Sequence, residues 1–151
     1  MKIAIGSDQN GLELKKAVCQ FLEEKGIEYH DFGVHTPDPV DYPDQARVVA
    51  EAVSCGEFER GILICGTGIG MAIAANKVRG IRAACCHDSF STERARKSNN
   101  AQIMTMGAFV VGPGLATRLV ELWLPAEFQG GRSRRKVDKI MQIEKENFVR
   151  G

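Results

Sequence analysis

The chain has no long hydrophobic run, no paired cysteine spacing, no internal repeat and no excess of charge of either sign. Each absence excludes something. No apolar stretch approaches the roughly 18 residues that a membrane-spanning helix needs. The start Met1-Lys2-Ile3-Ala4-Ile5-Gly6 reaches glycine after three apolar residues, shorter than a signal-peptide core, which predicts a cytoplasmic protein. Twenty Lys and Arg face nineteen Asp and Glu, a net charge of +1, so the chain carries no electrostatic footprint for nucleic acid or an anionic membrane. Five cysteines, at 19, 55, 65, 85 and 86, are odd in number and lack Cys-x-x-Cys spacing, and the three histidines lie far from any such pair. That argues against a disulfide framework or a zinc site. Cys19 and Cys85 read as small buried hydrophobes. With no linker or low-complexity tract, residues 1–151 form one domain, large enough to bury most of its apolar surface without staples.

Against these absences stands a regular alternation. Residues 2–6 and 61–65 are short apolar runs closed by glycine and followed by helical patterns, and 27–33, 81–86 and 103–111 supply three more strand-like runs. Leu12, Leu14, Ala17, Val18, Phe21 and Leu22 recur at helical spacing before Gly26, as do Val48, Val49, Ala52 and Val53 before Gly56. Such alternation implies right-handed βαβ units, and therefore a Rossmann-like three-layer α/β sandwich with a five-stranded parallel sheet. Thr36–Tyr42 and Gln129–Arg132 read as loops, and Ser133–Arg150 as a charged helix that docks on its own domain or on a partner subunit.

In an open parallel sheet, ligands bind beyond the carboxyl ends of the strands. Three loops belong there and are expected to converge: Gly6–Gly11, Cys65–Gly70 and Cys86–Ser89. In Gly66-Thr67-Gly68-Ile69-Gly70 the glycines let backbone N–H groups approach an anion such as a phosphate or enediolate. The pattern is not the dinucleotide fingerprint, which has its third glycine one position later, in the first βαβ unit, and an acidic residue about 20 residues on. A helix amino-terminus stabilises thiolate, so Cys65 suits a base or nucleophile; the other reading is a buried structural cysteine. Asp8 either caps the following helix or holds a substrate hydroxyl.

Taken together, Gly6-Ser7-Asp8, Asp41-Tyr42-Pro43, the block Gly61–Gly70, Ala74-Ala75-Asn76-Lys77, Gly80-Ile81-Arg82-Ala83 and Gly130-Gly131-Arg132 closely resemble the B-type ribose-5-phosphate isomerases and the related galactose-6-phosphate isomerase subunits. The likeness spans nearly the whole chain. It implies an aldose–ketose isomerase of sugar phosphates, using no metal or organic cofactor, and a homodimer or tetramer whose active sites are shared between subunits. By that resemblance Cys65 moves a proton between C1 and C2 through an enediolate, Thr67 adds a hydroxyl, and the amides of Gly66, Gly68 and Gly70 receive the developing charge. Asp8 and Asn99 contact sugar oxygens and Tyr42 lines the site. Arg132 and Lys136 reach the phosphate from the neighbouring subunit.

Four positions depart from that pattern. Ribose enzymes usually carry a histidine before the asparagine matching Asn99 and another after the first-strand aspartate, where this chain has Ser98 and Gln9. Ser133 and Phe109 stand where histidine and a phosphate-binding arginine are usual. Ring opening needs a group that transfers protons near neutral pH, which serine and glutamine do not. A tetrose 4-phosphate forms no ordinary furanose, because its O4 is esterified, so the departures favour erythrose or erythrulose 4-phosphate. Ribose 5-phosphate and a 6-phosphohexose are the alternatives, with His87 either replacing the missing imidazole or sitting on the surface as a helix cap. A non-catalytic phosphate or nucleotide sensor, and a subunit needing a paralogous partner, are the readings from other classes.

Overall fold

Side-chain alternation in the apolar runs sets the architecture. In β1 (Lys2–Ser7), Ile3 and Ile5 face one side and Ala4 the other. In β3 (Arg60–Cys65), Ile62 and Ile64 share the first side and Leu63 and Cys65 the second. In β5 (Ile103–Gly107), Met104 and Met106 oppose Ile103 in the same way. Each central strand is apolar on both faces, as a sheet covered on both sides requires.

Residues 1–148 are described by the computed structural model. All five strands pair in parallel, in the order β2-β1-β3-β5-β4, where β2 is Glu28–Asp31 and β4 is Ala83–Cys85. Helix α1 (Leu12–Glu24) packs with α4 (Ser89–Lys97) and α5 (Pro113–Trp123) over one face; α2 (Tyr42–Ser54) and α3 (Ile69–Ala75) cover the other. The expected three-layer fold is the one observed. No helix among the described residues is long and apolar enough to cross a membrane.

Several boundaries differ from the expected ones, for physical reasons. The fourth strand shrinks from 81–86 to Ala83–Cys85 because the Gln102 side chain takes the Arg82 N–H at 2.8 Å, an amide the ladder would otherwise use. The fifth ends at Gly107 rather than 111: the N–H groups of Val110 and Val111 both turn back to the Gly107 carbonyl at 3.0 Å. The second ends at Asp31, whose carboxylate accepts the Gly33 N–H and the ammonium of the buried Lys15, both within 2.8 Å. Tyr42 opens α2 instead of closing a loop, and α5 adds a helix beyond those the periodicity predicts. The last helix, α6, runs Arg132–Phe148; the expected extension to Arg150 lies outside the described residues. Cys19 is buried as expected but Cys85 is exposed, because edge strand β4 turns Cys86 inward instead.

One feature of the topology positions the site. From β1 the chain first builds β2 on one side, then crosses to β3 on the other. The carboxyl ends of β1 and β3 therefore diverge at a switch point, the place where an open sheet leaves a crevice.

Candidate active site

Asp8 directly follows β1 and Cys65 ends β3, so the switch point places them side by side. They line one cleft of about 440 Å³ together with Asn10, Tyr42, Gly66, Thr67, Ile69, Gly70, Ile73 and Phe109. Cys65 is only 4% exposed, and its thiol accepts the Gly68 N–H at 3.1 Å. That donor is available because Gly68 adopts φ +77° and turns its amide back toward the strand end, a conformation glycine takes at no steric cost. Thr67 is exposed, and its hydroxyl accepts the Ile69 N–H at 3.3 Å.

Asp8 is buried and accepts the Gly11 N–H at 3.0 Å, the local turn that starts α1. Burial pushes its carboxyl pKa up, against a smaller lowering by the Gly11 and Asn10 amides. Asp8 thus does not cap the helix, whose N-cap is Gly11 with no side-chain partner; one of its oxygens closes the turn before α1 while the carboxyl lines the cleft. Tyr42, 40% exposed, forms the opposite wall. It fits because Gly70 lacks a side chain; a Cβ there would lie 2.5 Å from Cε2 of the tyrosine.

Gln9 does not line the cleft. Its carbonyl oxygen accepts the Val40 N–H at 3.0 Å, tying the loop before Tyr42 to the end of β1. The loop Cys86–Ser89 does reach the Cys65 loop, with the Cys85 thiol at its start 3.7 Å from the Thr67 carbonyl and His87 against Gly107, the register partner of Cys65, but none of its residues lines the cleft. The Gly107 N–H donates to Nε2 of His87 at 2.9 Å, fixing the ring against the end of β5, and burial lowers its pKa. Asp88 rather than His87 caps α4, accepting the Ser91 N–H at 2.7 Å.

The remaining expected residues lie at the other end of the sheet. Ser98 and Asn99 follow α4 and precede β5, and Arg132 and Lys136 start α6, which is joined to that corner by the Gln129 N–H on the Lys97 carbonyl at 3.1 Å. The six residues of β3 separate the two ends by roughly 17 Å at about 3.3 Å per residue. This corner is braced by the buried Arg96 and the half-buried Arg82. Arg96 donates to the Ala101 carbonyl at 2.9 Å and to Asn100 Oδ1 at 3.2 Å, and Arg82 to the Asn100 carbonyl at 2.9 Å. Burial, then the nearby Arg60, lowers the Arg96 pKa to about 10. Arg132 and Lys136 are exposed one helical turn apart, on the same face.

No cationic side chain lines the cleft among the described residues, while its rim exposes Ile69, Ile73, Phe109 and Val110. Sequence reasoning did not name Asn10, Ile69 or Ile73 as site residues. The signal for the two isoleucines was present: they sit four apart on α3, the spacing of one helix face.

Residues 3–140 match the family model described as Ribose/Galactose Isomerase. The chain is 57% identical to a Ribose-5-P isomerase B of Listeria innocua, covering 97% of this chain and 99% of that one. It is 50% identical to a D-erythrulose-4-phosphate isomerase of Pectobacterium atrosepticum, over 95% of each. Among solved structures, ribose-5-phosphate isomerase B of Clostridium thermocellum superposes with a TM-score of 0.95 at 53% identity, covering 97% of this chain and 99% of that one.

Proposed function

Because the chain belongs to the Ribose/Galactose Isomerase family and is a sugar-phosphate isomerase of the ribose-5-phosphate isomerase B type, we propose that Cys65 is its base and a tetrose 4-phosphate its substrate. The observation that carries the first half is the Cys65 thiol at the cleft floor, held by the Gly68 N–H at 3.1 Å. From an aldose, the Cys65 thiolate takes the proton on C2, and the electrons of that bond form the C1–C2 double bond of the enediolate. The former carbonyl oxygen gains negative charge, which the amides of the Gly66–Gly70 loop and the Thr67 hydroxyl receive. The same proton returns to C1 while the O2 proton passes to O1, giving the ketose. Asp8 accepts from a sugar hydroxyl during the exchange.

The substrate reading rests on what surrounds that thiol. No imidazole lines the cleft among the described residues: His87 is held by Gly107, and Gln9, beside Asp8, is engaged with Val40. A group able to open a furanose is thus not at hand, and a sugar whose O4 carries the phosphate does not need one. The names of the relatives divide in the same way, between ribose-5-phosphate and erythrulose-4-phosphate isomerases.

A phosphate dianion requires cations, and among the described residues none lines the cleft. The working site is therefore shared. A second subunit covers the exposed Ile69, Ile73 and Val110 and brings its Ser98, Asn99, Arg132 and Lys136 to the cleft, with the Arg132 guanidinium forking onto phosphate oxygens and Lys136 adding a point charge. The test is a coupled turnover screen over four-, five- and six-carbon sugar phosphates, with Cys65→Ala as control. Preference for the tetrose phosphate and loss of turnover in Cys65→Ala are expected. A clear preference for ribose 5-phosphate refutes the substrate reading, and an active Cys65→Ala refutes the base.

A further inference from the structure

Phe109 is three-quarters exposed, yet it is firmly held. Where β5 ends, the Ala108 N–H donates to the Cys65 carbonyl at 2.8 Å and the Phe109 N–H to the Gly66 carbonyl at 3.0 Å, so the turn is clamped to the catalytic loop by its backbone. The ring lies against Gly66: a Cβ on that glycine would stand 2.9 Å from Cε2 and 3.0 Å from Cδ2 of the phenylalanine. A large apolar side chain fixed in the open, one residue from the reacting thiol, is not serving the core.

Its neighbours give it a different use. The polar groups of the cleft, Asp8, Asn10, Tyr42 and Thr67, come from the β1 loop, α2 and the β3 loop; among the described residues the β5 side lines it with this ring. A substrate hydroxyl set against that ring would leave water and find no partner in this chain, which is costly. From this geometry we propose that Phe109 is a specificity-determining residue. Its ring closes the β5 side of the cleft to sugar phosphates whose additional secondary hydroxyl must lie against it, and admits short chains that turn every hydroxyl toward Asp8, Asn10 and Thr67. The proposal rests on the isomerase reading of this cleft and deepens its account of the substrate.

The experiment compares kcat/KM for erythrulose 4-phosphate and ribose 5-phosphate in the wild-type protein, Phe109→Ala, Phe109→Arg and Phe109→Leu. The quantity read is the pentose-to-tetrose ratio. It is expected to rise by about tenfold or more in the Ala and Arg variants, and to stay within about threefold of wild type in Leu, which keeps the apolar bulk. If Ala proves unstable, the Arg and Leu pair decides. A ratio that does not move in Arg overturns the proposal. So does a parallel loss for both sugars with dissociation into monomers by light scattering, which would make Phe109 an interface residue. The ratio is independent of which sugar the wild type prefers. A wild-type preference for ribose 5-phosphate would sink the tetrose reading, whereas an unmoved ratio sinks the role of Phe109 alone.

Discussion

Replacing Gly70 by alanine separates stability from binding, because the first should hold nearly constant while the second weakens. Gly70 is the second residue of α3 and has no positive φ, so alanine suits the backbone and gains about 1 kcal/mol of helix propensity. The added methyl, however, would lie 2.5 Å from Cε2 and 2.7 Å from Oη of Tyr42. Ordinary carbon contact is about 3.5 Å, so the ring must retreat by roughly 1 Å or rotate away. It can do so, being 40% exposed at the first turn of α2, and the packing it forfeits is worth about 1 kcal/mol. Net stability should therefore change by less than about 1 kcal/mol, a shift of no more than about 4 °C in Tm. The cleft, by contrast, loses the wall opposite Asp8. A lost contact of about 1–2 kcal/mol raises KM roughly 5- to 30-fold, with a smaller change in kcat because Cys65 and Gly68 stay in place. Thermal unfolding and steady-state kinetics read both quantities. Tyr42→Ala should raise KM similarly, and the double variant should be no worse than either single one. An unchanged KM, or a fall in Tm beyond about 8 °C, would show that Tyr42 is not the wall assigned here.

Two further outcomes follow from buried charge. Burial raises the Asp8 pKa above its unfolded value, so folding costs free energy once pH exceeds the unfolded pKa, in full above the folded one, and nothing below both. Asp8→Asn keeps the acceptor for Gly11 and should raise Tm at pH 7 but not at pH 3, while lowering turnover; a Tm gain of equal size at both pH values would refute the burial argument. Arg96→Met removes the donors to Ala101 and Asn100 in a buried corner, and should cost about 3 kcal/mol, or roughly 10 °C in Tm. A loss under about 1 kcal/mol by thermal unfolding would mean that the brace is not structural.

What the sequence made legible was whatever depends on short-range pattern. Apolar runs on both faces of β1, β3 and β5 announced a covered parallel sheet, and the glycine block announced a strand-to-helix turn with Cys65 at its head. The fourth strand and α4 were harder to bound for a reason of the same kind: α4 buries only Thr92, Ala95 and Arg96, so it carries no apolar stripe. Strand order was not legible at all, since nothing local to β5 says that it will insert between β3 and β4.

The site divides along the same line. Asp8 and Cys65 are 57 positions apart, yet each ends a strand, and the parallel rule alone brings strand ends together. Gln9 looked equally well placed, but side-chain direction is a tertiary fact: Val40, 31 residues away, claims its carbonyl. For Ser98, Asn99, Arg132 and Lys136 the parallel rule works in reverse. A residue that follows a helix and precedes a strand must lie at the amino edge, which places Ser98 and Asn99 there, and Arg132 and Lys136 open α6, tied to the same edge by the Gln129 N–H on the Lys97 carbonyl, so within one chain these four stand away from the Cys65 cleft. If they serve that chemistry, as the resemblance implies, they serve it in another copy of the chain. The prediction that separates these arrangements uses mixed subunits: Cys65→Ala combined with Arg132→Ala should regain about a quarter to a half of wild-type turnover per dimer, because one of the two sites then has both halves intact. Inactivity of the mixture, with each variant folded and dimeric, would place both residues in the same site of the same subunit, against the topology of the sheet.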